Sequence, residues 1–287
     1  MLKDEIDSLA PGRDFSRRSF VQTTVGSGFA AAVLPVTAQT ITTDTGGLVA
    51  GPVTIDVNGF AMPAYRAAPE GKKHPPVVLV VCEIFGVHEH IADVCRRFAK
   101  QGYLAIAPEL FARHGNAGAY TDIPKLISEV VSKASDAQVN GDLDATVAWA
   151  ATQGGDTSKL GITGFCWGGR ATWRYAAHNP KLTAAVAWYG PVARSYHEGD
   201  KTIIELAANI KAPVLGLYGG ADTGIPGDTL KQLEAALKDA GNAKCEFVVY
   251  PDTPHAFHAD YRPSYRRKEA EDGWKRCLEW FRKNGVA

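Results

Sequence analysis

The sequence predicts an α/β fold, a mostly parallel, doubly wound sheet preceded by an N-terminal β-hairpin. Three observations support this prediction. Short apolar runs alternate with stretches of helical periodicity, and the run at 77–82 is apolar throughout. An Asn-Gly pair separates two β-rich segments ahead of that run. Alternating strand and helix units build parallel sheets through right-handed crossovers. About 250 residues remain after a leader segment, which suits one large domain with its own core.

The hairpin is the first predicted element. Residues 53–57 and 60–65 flank Asn58-Gly59, a pair that accepts the positive φ of a type I′ turn. The apolar run at 77–82 follows and is typical of a parallel strand covered on both faces. Further strands are predicted at 104–107, 160–163, 184–188, 214–218 and 246–250. Helices are predicted at 91–101, 124–135, 142–152, 170–178, 229–240 and 264–283.

The first 38 residues have the pattern of a leader. Arg17-Arg18 precede a modestly apolar stretch at 20–34, and Ala38 ends a run of small residues suited to cleavage. This order resembles a twin-arginine (Tat) export signal. The alternative is a disordered basic N-terminus and a short helix on a cytoplasmic protein. We therefore expect a signal peptide at 1–38, a linker at 39–52 and one α/β domain at 53–287, in a periplasmic protein that contacts the Tat machinery transiently.

Charge and cysteine usage exclude several classes. Lys plus Arg and Asp plus Glu number 31 each, so the net charge of zero gives no support for nucleic-acid binding or for adhesion to a membrane surface. The five cysteines are odd in number and widely spaced, unlike a disulfide framework, and none has zinc-ligand spacing. We expect no cofactor, no metal, no membrane association of the mature form, and a monomer.

A nucleophile turn is the strongest local signal. In Gly164-Phe165-Cys166-Trp167-Gly168 a predicted strand ends, a tight turn follows and a helix begins. This is the nucleophile-elbow pattern with cysteine where serine is commoner. The positive end of the helix dipole faces the sulfur, and the Trp167 N–H faces a developing oxyanion. The alternative is a buried cysteine in a glycine-rich packing turn.

Two downstream residues complete a triad. Asp222 follows the strand at 214–218, and His255 lies in the loop after the last strand. Nucleophile, acid, histidine is the chain order of the α/β-hydrolase triad. His255 would take the thiol proton and later protonate the leaving group, while Asp222 orients the ring. Rival residues remain: Asp228 and Asp252 for the acid, and His258 for the base.

An acid at the end of the first parallel strand faces the same rim. Glu83 follows the run at 77–82 and can reach the nucleophile, and the N–H of Ile84 can complete an oxyanion hole. The alternative is a loop glutamate at the surface. His88 and His90 lie too far along the chain to be predicted as bases.

Four motifs carry a resemblance to a known family. They are Glu83-Ile84-Phe85-Gly86, Pro108-Glu109-Leu110-Phe111-Ala112-Arg113, Gly164-Phe165-Cys166-Trp167-Gly168-Gly169 and His255-Ala256-Phe257-His258. From residue 53 to the C-terminus the chain resembles the dienelactone hydrolase (carboxymethylenebutenolidase) family. The resemblance implies a Cys166, His255 and Asp222 triad, a thioester acyl-enzyme, and a Glu83 that bonds the resting thiol and takes its proton when substrate binds. It also implies that Arg113 clamps a substrate carboxylate.

One position departs from the family pattern. Family members that act on dienelactone carry a second substrate-binding arginine four residues after the catalytic histidine, where this chain has Ala259; Arg262 lies three residues further. We expect a hydrolase of a small lactone or carboxylic ester. The alternatives are a broader carboxylesterase or thioesterase and a non-catalytic periplasmic protein that keeps the fold. A thiol redox protein is disfavoured because no resolving cysteine neighbours Cys166.

Overall fold

The computed structural model describes residues 41–197 and 199–287, and the predicted signal peptide lies outside them. Eight strands form one sheet in the order β1-β2-β4-β3-β5-β6-β7-β8. The strands are β1 (Leu48–Val57), β2 (Phe60–Pro69), β3 (Pro76–Val81), β4 (Leu104–Pro108), β5 (Asp156–Phe165), β6 (Ala184–Trp188), β7 (Val214–Gly219) and β8 (Glu246–Tyr250). The longer helices are α1 (Glu89–Lys100), α2 (Ile123–Glu129), α3 (Asp136–Thr152), α4 (Trp167–His178), α5 (Gly227–Asp239) and α6 (Arg267–Lys283).

Strand direction confirms the predicted fold class. β1 pairs with β2 and β2 with β4 in antiparallel fashion, while every pair from β4 to β8 is parallel. All six residues of β3, and all six of β7, are buried. Parallel strands place their carboxyl ends on one edge of the sheet, which is where ligands bind in open α/β folds. The loops after β3, β5, β6, β7 and β8 therefore meet at one rim.

The hairpin is longer than the sequence indicated. β1 begins at Leu48, which pairs with Pro69 at the far end of β2. Residues 48–52, which were predicted to belong to the linker, form the first half of β1. Gly51 and Pro52, within the predicted linker, lie on a strand at the edge of the sheet. Proline and glycine are tolerated there because one side of an edge strand has no ladder partner.

The α2–α3 region also departs from prediction. A single helix was expected at 124–135, but α2 ends at Glu129 and Val130 leaves helical geometry. The side chain of Ser135 accepts a hydrogen bond from Gln138 N and caps α3, which therefore begins at Asp136 rather than at residue 142. Serine favours the N-cap because its hydroxyl satisfies a free amide of the first turn. Within the described ranges, no helix is both long and apolar enough to cross a membrane.

Candidate active site

Cys166 lies at a sharp turn between β5 and α4. Its backbone has φ 56° and ψ −117°, a strained conformation for a residue with a side chain. Hydrogen bonds on both sides fix the turn: Cys166 N donates to Trp188 O at 3.0 Å, and Arg170 N donates to Cys166 O at 3.1 Å. The sulfur is held at the N-terminus of α4 with only 2% of the residue exposed.

Two glycines allow this turn to form. A Cβ on Gly164 would lie 2.3 Å from Gly168 O, and a Cβ on Gly168 would lie 2.4 Å from Cys82 O. Both distances are far below van der Waals contact with backbone atoms that cannot move aside. The first turn of α4 therefore packs directly against the end of β3, which brings the residues that follow β3 next to Cys166.

His255 and Asp222 form a buried pair at the same rim. Nδ1 of His255 lies 2.6 Å from Oδ2 of Asp222, and their side chains are 4% and 1% exposed. Oδ1 of Asp222 accepts a hydrogen bond from Gly224 N at 2.9 Å. With both carboxylate oxygens engaged, Asp222 has one orientation and fixes the ring of His255.

The charge of Cys166 affects the pKa of His255. Burial disfavours the charged imidazolium, but the charges of Cys166 and Asp222 outweigh it and raise the pKa of His255 to about 10. Nε2 is buried and makes no hydrogen bond of standard geometry to a described residue. This nitrogen is therefore the one available to exchange a proton with Cys166.

The rival triad residues lie elsewhere. Asp252 and Asp228 are both exposed, and Asp228 lies 3.3 Å from Lys231. His258 is buried between aromatic rings, with centroid distances of 4.9 Å to Phe165 and 4.6 Å to Trp188. Burial, first of all, holds the pKa of His258 well below its usual value. Among the candidates weighed from the sequence, only Asp222 contacts His255.

The predicted oxyanion donors lie on the loop after β3 and at the first residue of α4. Ile84 follows β3 and Trp167 opens α4; neither amide donates among the backbone hydrogen bonds found outside helices and strands in the described residues. Glu109 supports the first loop, because its Oε2 accepts a hydrogen bond from Val87 N at 2.6 Å. The half-buried carboxylate of Glu109 thus helps to fix the loop after β3.

Glu83 is buried at this rim but is not bonded to the thiol. The residue is 1% exposed, Oε2 accepts a hydrogen bond from the phenol of Tyr261, and Oε1 has no hydrogen-bond partner among the described residues. The resemblance implied that Glu83 bonds the resting thiol of Cys166, and in this structure that expectation is wrong. The physical reason is that a phenol O–H, supplied here by the His255 loop, is a much stronger donor than a thiol.

Three residues that the sequence analysis did not assign also line the site. Tyr189 follows β6, has φ 38°, packs edge-on against His255 at 5.1 Å and has a buried hydroxyl without a partner among the described residues. Nε2 of His88 lies 3.9 Å from Oε2 of Glu83. Tyr261 is the third. Burial, first of all, and then the charge of Glu83 raise the pKa of both tyrosines. Tyr189 could have been predicted as a site residue because it directly follows a predicted strand, β6. The position of Tyr261 depends on the course of a loop and could not.

Arg113 and Arg262, the two arginines considered for substrate binding, differ in their surroundings. Nη1 of Arg113 lies 2.6 Å from Oδ2 of Asp142, and its guanidinium stacks 4.1 Å above the ring of Phe60. These contacts do not bring it to Cys166 or His255. Arg262 stacks over Phe85 at 5.7 Å, and its charge acts on His88, Tyr189 and Tyr261. Arg262 is therefore the cation whose field reaches the site.

Metal ligation and disulfide chemistry find no basis in the part of the chain that the structure describes. No group of three or more His, Cys, Asp or Glu residues there could hold a metal ion. All five cysteines lie within it and are free thiols.

The sheet order and the nucleophile turn, followed along the chain by an acid and a histidine, define an α/β-hydrolase. The sequence model of the dienelactone hydrolase family matches residues 62–285, and the chain belongs to that family of carboxylic-ester hydrolases. A Methylorubrum extorquens protein provisionally named a carboxymethylenebutenolidase is 57% identical over 286 residues, 99% of this chain and 98% of that protein. An Escherichia coli K12 protein with the same provisional name is 53% identical over 270 residues, 92% of this chain and 97% of that protein.

A solved structure extends the similarity to three dimensions. A Klebsiella pneumoniae protein, provisionally called a dienelactone hydrolase, superposes with a TM-score of 0.80 at 54% identity. The match covers 82% of this chain and 99% of that one. The sequence-based resemblance to the family is thereby confirmed.

Proposed function

We propose that this protein hydrolyses a small lactone or carboxylic ester through a Cys166, His255 and Asp222 triad and a thioester acyl-enzyme. One observation carries the proposal: His255 is held by Asp222 at 2.6 Å on one side and responds to the charge of Cys166 on the other. A thiol next to an imidazole that is itself oriented by a carboxylate is an activated nucleophile. Its position at the N-terminus of α4 is the one this fold uses for acyl transfer.

Acylation begins from the pair in which the proton of Cys166 lies on Nε2 of His255, the state that the raised pKa of His255 favours. The thiolate forms a bond to the carbonyl carbon, and the carbonyl electrons move to an oxyanion that the amides of Ile84 and Trp167 stabilise. When the oxyanion collapses, the carbon–oxygen bond of the ester breaks. The leaving alkoxide or enolate takes the proton from His255, so a lactone stays attached as an opened acyl chain.

Deacylation repeats the steps with water. His255 removes a proton from a water molecule, the resulting hydroxide adds to the thioester carbonyl, and the carbon–sulfur bond breaks. The Cys166 thiolate recovers its proton from His255, and the acid product leaves. Asp222 orients the ring and stabilises the imidazolium at both stages.

Glu83 has a part in this scheme as a buried acceptor. Its Oε1 has no partner among the described residues, and its charge acts on Tyr189 and Tyr261, the same side chains that the charge of Cys166 reaches. A carboxylate so placed can accept a proton from the thiol or from substrate while His255 is occupied.

Substrate size and charge follow from the surroundings. Cys166 is 2% exposed at a rim that also carries the buried Tyr189 and Tyr261, which favours a small acyl group. The relatives at 57% and 53% identity bear the name carboxymethylenebutenolidase, which supports a lactone. Ala259 and the engagement of Arg113 with Asp142 give specific support to the second candidate, a broader carboxylesterase that does not require a substrate carboxylate.

The test is hydrolysis of dienelactone, simple butenolides and p-nitrophenyl acetate by the wild type and by Cys166→Ala. Cys245→Ala is the matched control, because Cys245 is a half-buried free thiol outside the site. We expect turnover by the wild type and by the control, and a loss on the order of a thousandfold or more in Cys166→Ala. Equal activity of Cys166→Ala and wild type would contradict the triad. Turnover of the aryl ester without lactone opening would favour the broader esterase.

We also propose export through the Tat machinery, on the basis of Arg17 and Arg18 ahead of the apolar stretch. Replacing both arginines with lysine keeps the charge but removes the recognised pair. Cell fractionation should then find the protein in the cytoplasm instead of the periplasm. Unchanged export would contradict the proposal.

A further inference from the structure

Glu83 depends on a single strong hydrogen bond. It is 1% exposed and accepts only from the phenol of Tyr261, while Oε1 remains without a partner among the described residues. In the same part of the chain it forms no ion pair with an arginine or lysine, and the nearest histidine nitrogen, His88 Nε2, is 3.9 Å from Oε2. Burying a carboxylate without hydrogen bonds is costly, so the phenol is the main stabilising contact of Glu83.

His88 does not stabilise the carboxylate of Glu83 in the way that Tyr261 does. Burial is the main cause that lowers the pKa of His88 to about 4, and only the charge of Glu83 and that of Asp260 oppose it. At neutral pH the ring is therefore uncharged, and it packs edge-on against Tyr261 at 4.9 Å. The other titratable groups under the influence of Glu83 are Cys82 and Tyr189, both buried, and neither is hydrogen-bonded to it.

Tyr261 is held firmly enough to fix its partner. It is 5% exposed and follows Asp260, whose carboxylate bonds His90 Nδ1 at 2.9 Å and Arg97 Nη2 at 2.8 Å. The backbone amide of the next residue, Arg262, donates to Ala259 O at 3.0 Å. A buried hydrogen bond to His90, an ion pair with Arg97 and a turn thus anchor the segment from which the phenol projects. The end of β3 packs directly against the first turn of α4, so the phenol that bonds Glu83 lies at the same rim as the nucleophile.

We infer that Tyr261 is a positioning residue for the hydrolysis proposed above: its O–H holds Oε2 of Glu83 and so presents Oε1 to the reacting thiol. The inference rests on the proposed function. It couples the loop that carries His255 to the residue that follows β3, because Tyr261 comes six residues after His255. His255 and Glu83 are thereby aligned by one segment of chain.

The experiment compares Tyr261→Phe, Glu83→Gln and the double variant. Tyr261→Phe removes the donor and keeps the ring, and Tyr265→Phe is the matched control, since Tyr265 lies in the same segment without a hydrogen bond to Glu83. We expect kcat to fall on the order of tenfold or more in Tyr261→Phe, the scale of one hydrogen bond to a charged group, with KM little changed. In the Glu83→Gln background the same substitution should have little further effect, because Tyr261 acts through that carboxylate.

A substrate-free readout separates this inference from the proposed function. The alkylation rate of Cys166 by iodoacetamide, measured in the same four proteins, should show the same non-additive coupling even if no tested ester turns over. Additive effects, or a Tyr261→Phe protein that equals wild type in both assays, would overturn the inference. Loss of turnover in every protein with coupling intact in the alkylation assay would instead count against the hydrolase proposal.

Stability provides a check if Tyr261→Phe folds poorly. Removing the donor leaves the buried Glu83 carboxyl without its hydrogen bond, whereas the double variant places an amide there. Thermal melts should then show the double variant more stable than Tyr261→Phe. If both are equally destabilised, the phenol serves packing alone and the inference fails.

Discussion

Nδ1 of His255 and Oδ2 of Asp222 lie 2.6 Å apart although 33 residues separate them in the chain. The backbone sets this distance: Ala221 N donates to Thr253 O at 3.0 Å, and a Cβ on Gly219 would lie 2.3 Å from the same oxygen. The turn after β7 and the loop after β8 are therefore in direct backbone contact. The acid and the base of the triad are positioned by the sheet edge rather than by their own flexibility.

Asp222→Asn should keep the fold and remove most of the activity. The amide cannot stabilise the imidazolium, and it can select the wrong tautomer of His255, which costs on the order of a thousandfold or more in kcat. Steady-state kinetics on p-nitrophenyl acetate would measure it. Asp252→Asn, a change at the exposed rival position, is the control and should retain activity. The assignment is wrong if the two variants have similar rates.

The titration of His255 should depend on Cys166. With the thiol present the pKa of His255 is raised to about 10, and NMR of ring-labelled histidine should show this transition. In Cys166→Ala one of the two stabilising charges is gone, so the transition should move down by on the order of one unit or more. A pKa raised in the fold contributes stability below about pH 6.5 that is lost as the pH rises through about 10. An unchanged transition in the variant would show that the two side chains are not coupled.

The sequence predicted those parts of the site that follow strands. Cys166 and Asp222 come directly after β5 and β7, and His255 follows β8, so strand prediction alone brings them to one edge. Glu83 was placed at that edge for the same reason. Its hydrogen-bond partner was not predictable, because Tyr261 reaches it from a loop whose course depends on the contacts of Asp260 with His90 and Arg97.

Local signals account for the errors in the helices. The stretch at 124–135 has helical periodicity, but Ser135 caps the next helix and Val130 interrupts the first. The same residues are compatible with one long helix or with two shorter helices, and only the packing of α3 in the fold decides between these arrangements. The ion pair between Arg113 and Asp142 could not be predicted either. Asp142 lies in a separate helix, and its approach to Arg113 leaves no periodic signal in the sequence.

Arg113 and Arg262 can be distinguished by substrate charge. Arg113→Ala leaves the buried carboxylate of Asp142 without its cation, and should cost about 2 kcal/mol of stability in a thermal or urea melt. The same kcat/KM ratio between a carboxylated and a neutral ester as in wild type would show that Arg113 serves the fold. Arg262→Ala should lower that ratio about tenfold, because its charge reaches the site. A selective loss in Arg113→Ala instead would restore the clamp implied by the family.

The buried histidines should make the fold sensitive to mild acid. The pKa of His88 is lowered to about 4, so between that pH and about 6.5 the unfolded chain binds a proton that the folded chain does not, and stability falls as the pH is lowered through this window. His258 acts in the same direction. Asp260, whose pKa is depressed mainly by His90 and Arg97 against the effect of burial, loses its contribution only below about pH 4, outside the window.

Urea unfolding at pH 7 and pH 4.5 would measure the effect. His88→Gln removes one of the two titrations, so its loss of unfolding free energy between these pH values should be about 2 to 3 kcal/mol smaller than that of wild type. His74→Gln, at an exposed position between β2 and β3, is the surface control. If His88→Gln and wild type lose equal stability, His88 is protonated in the fold, and the neutral ring beside Glu83 on which the role of Tyr261 depends is not present.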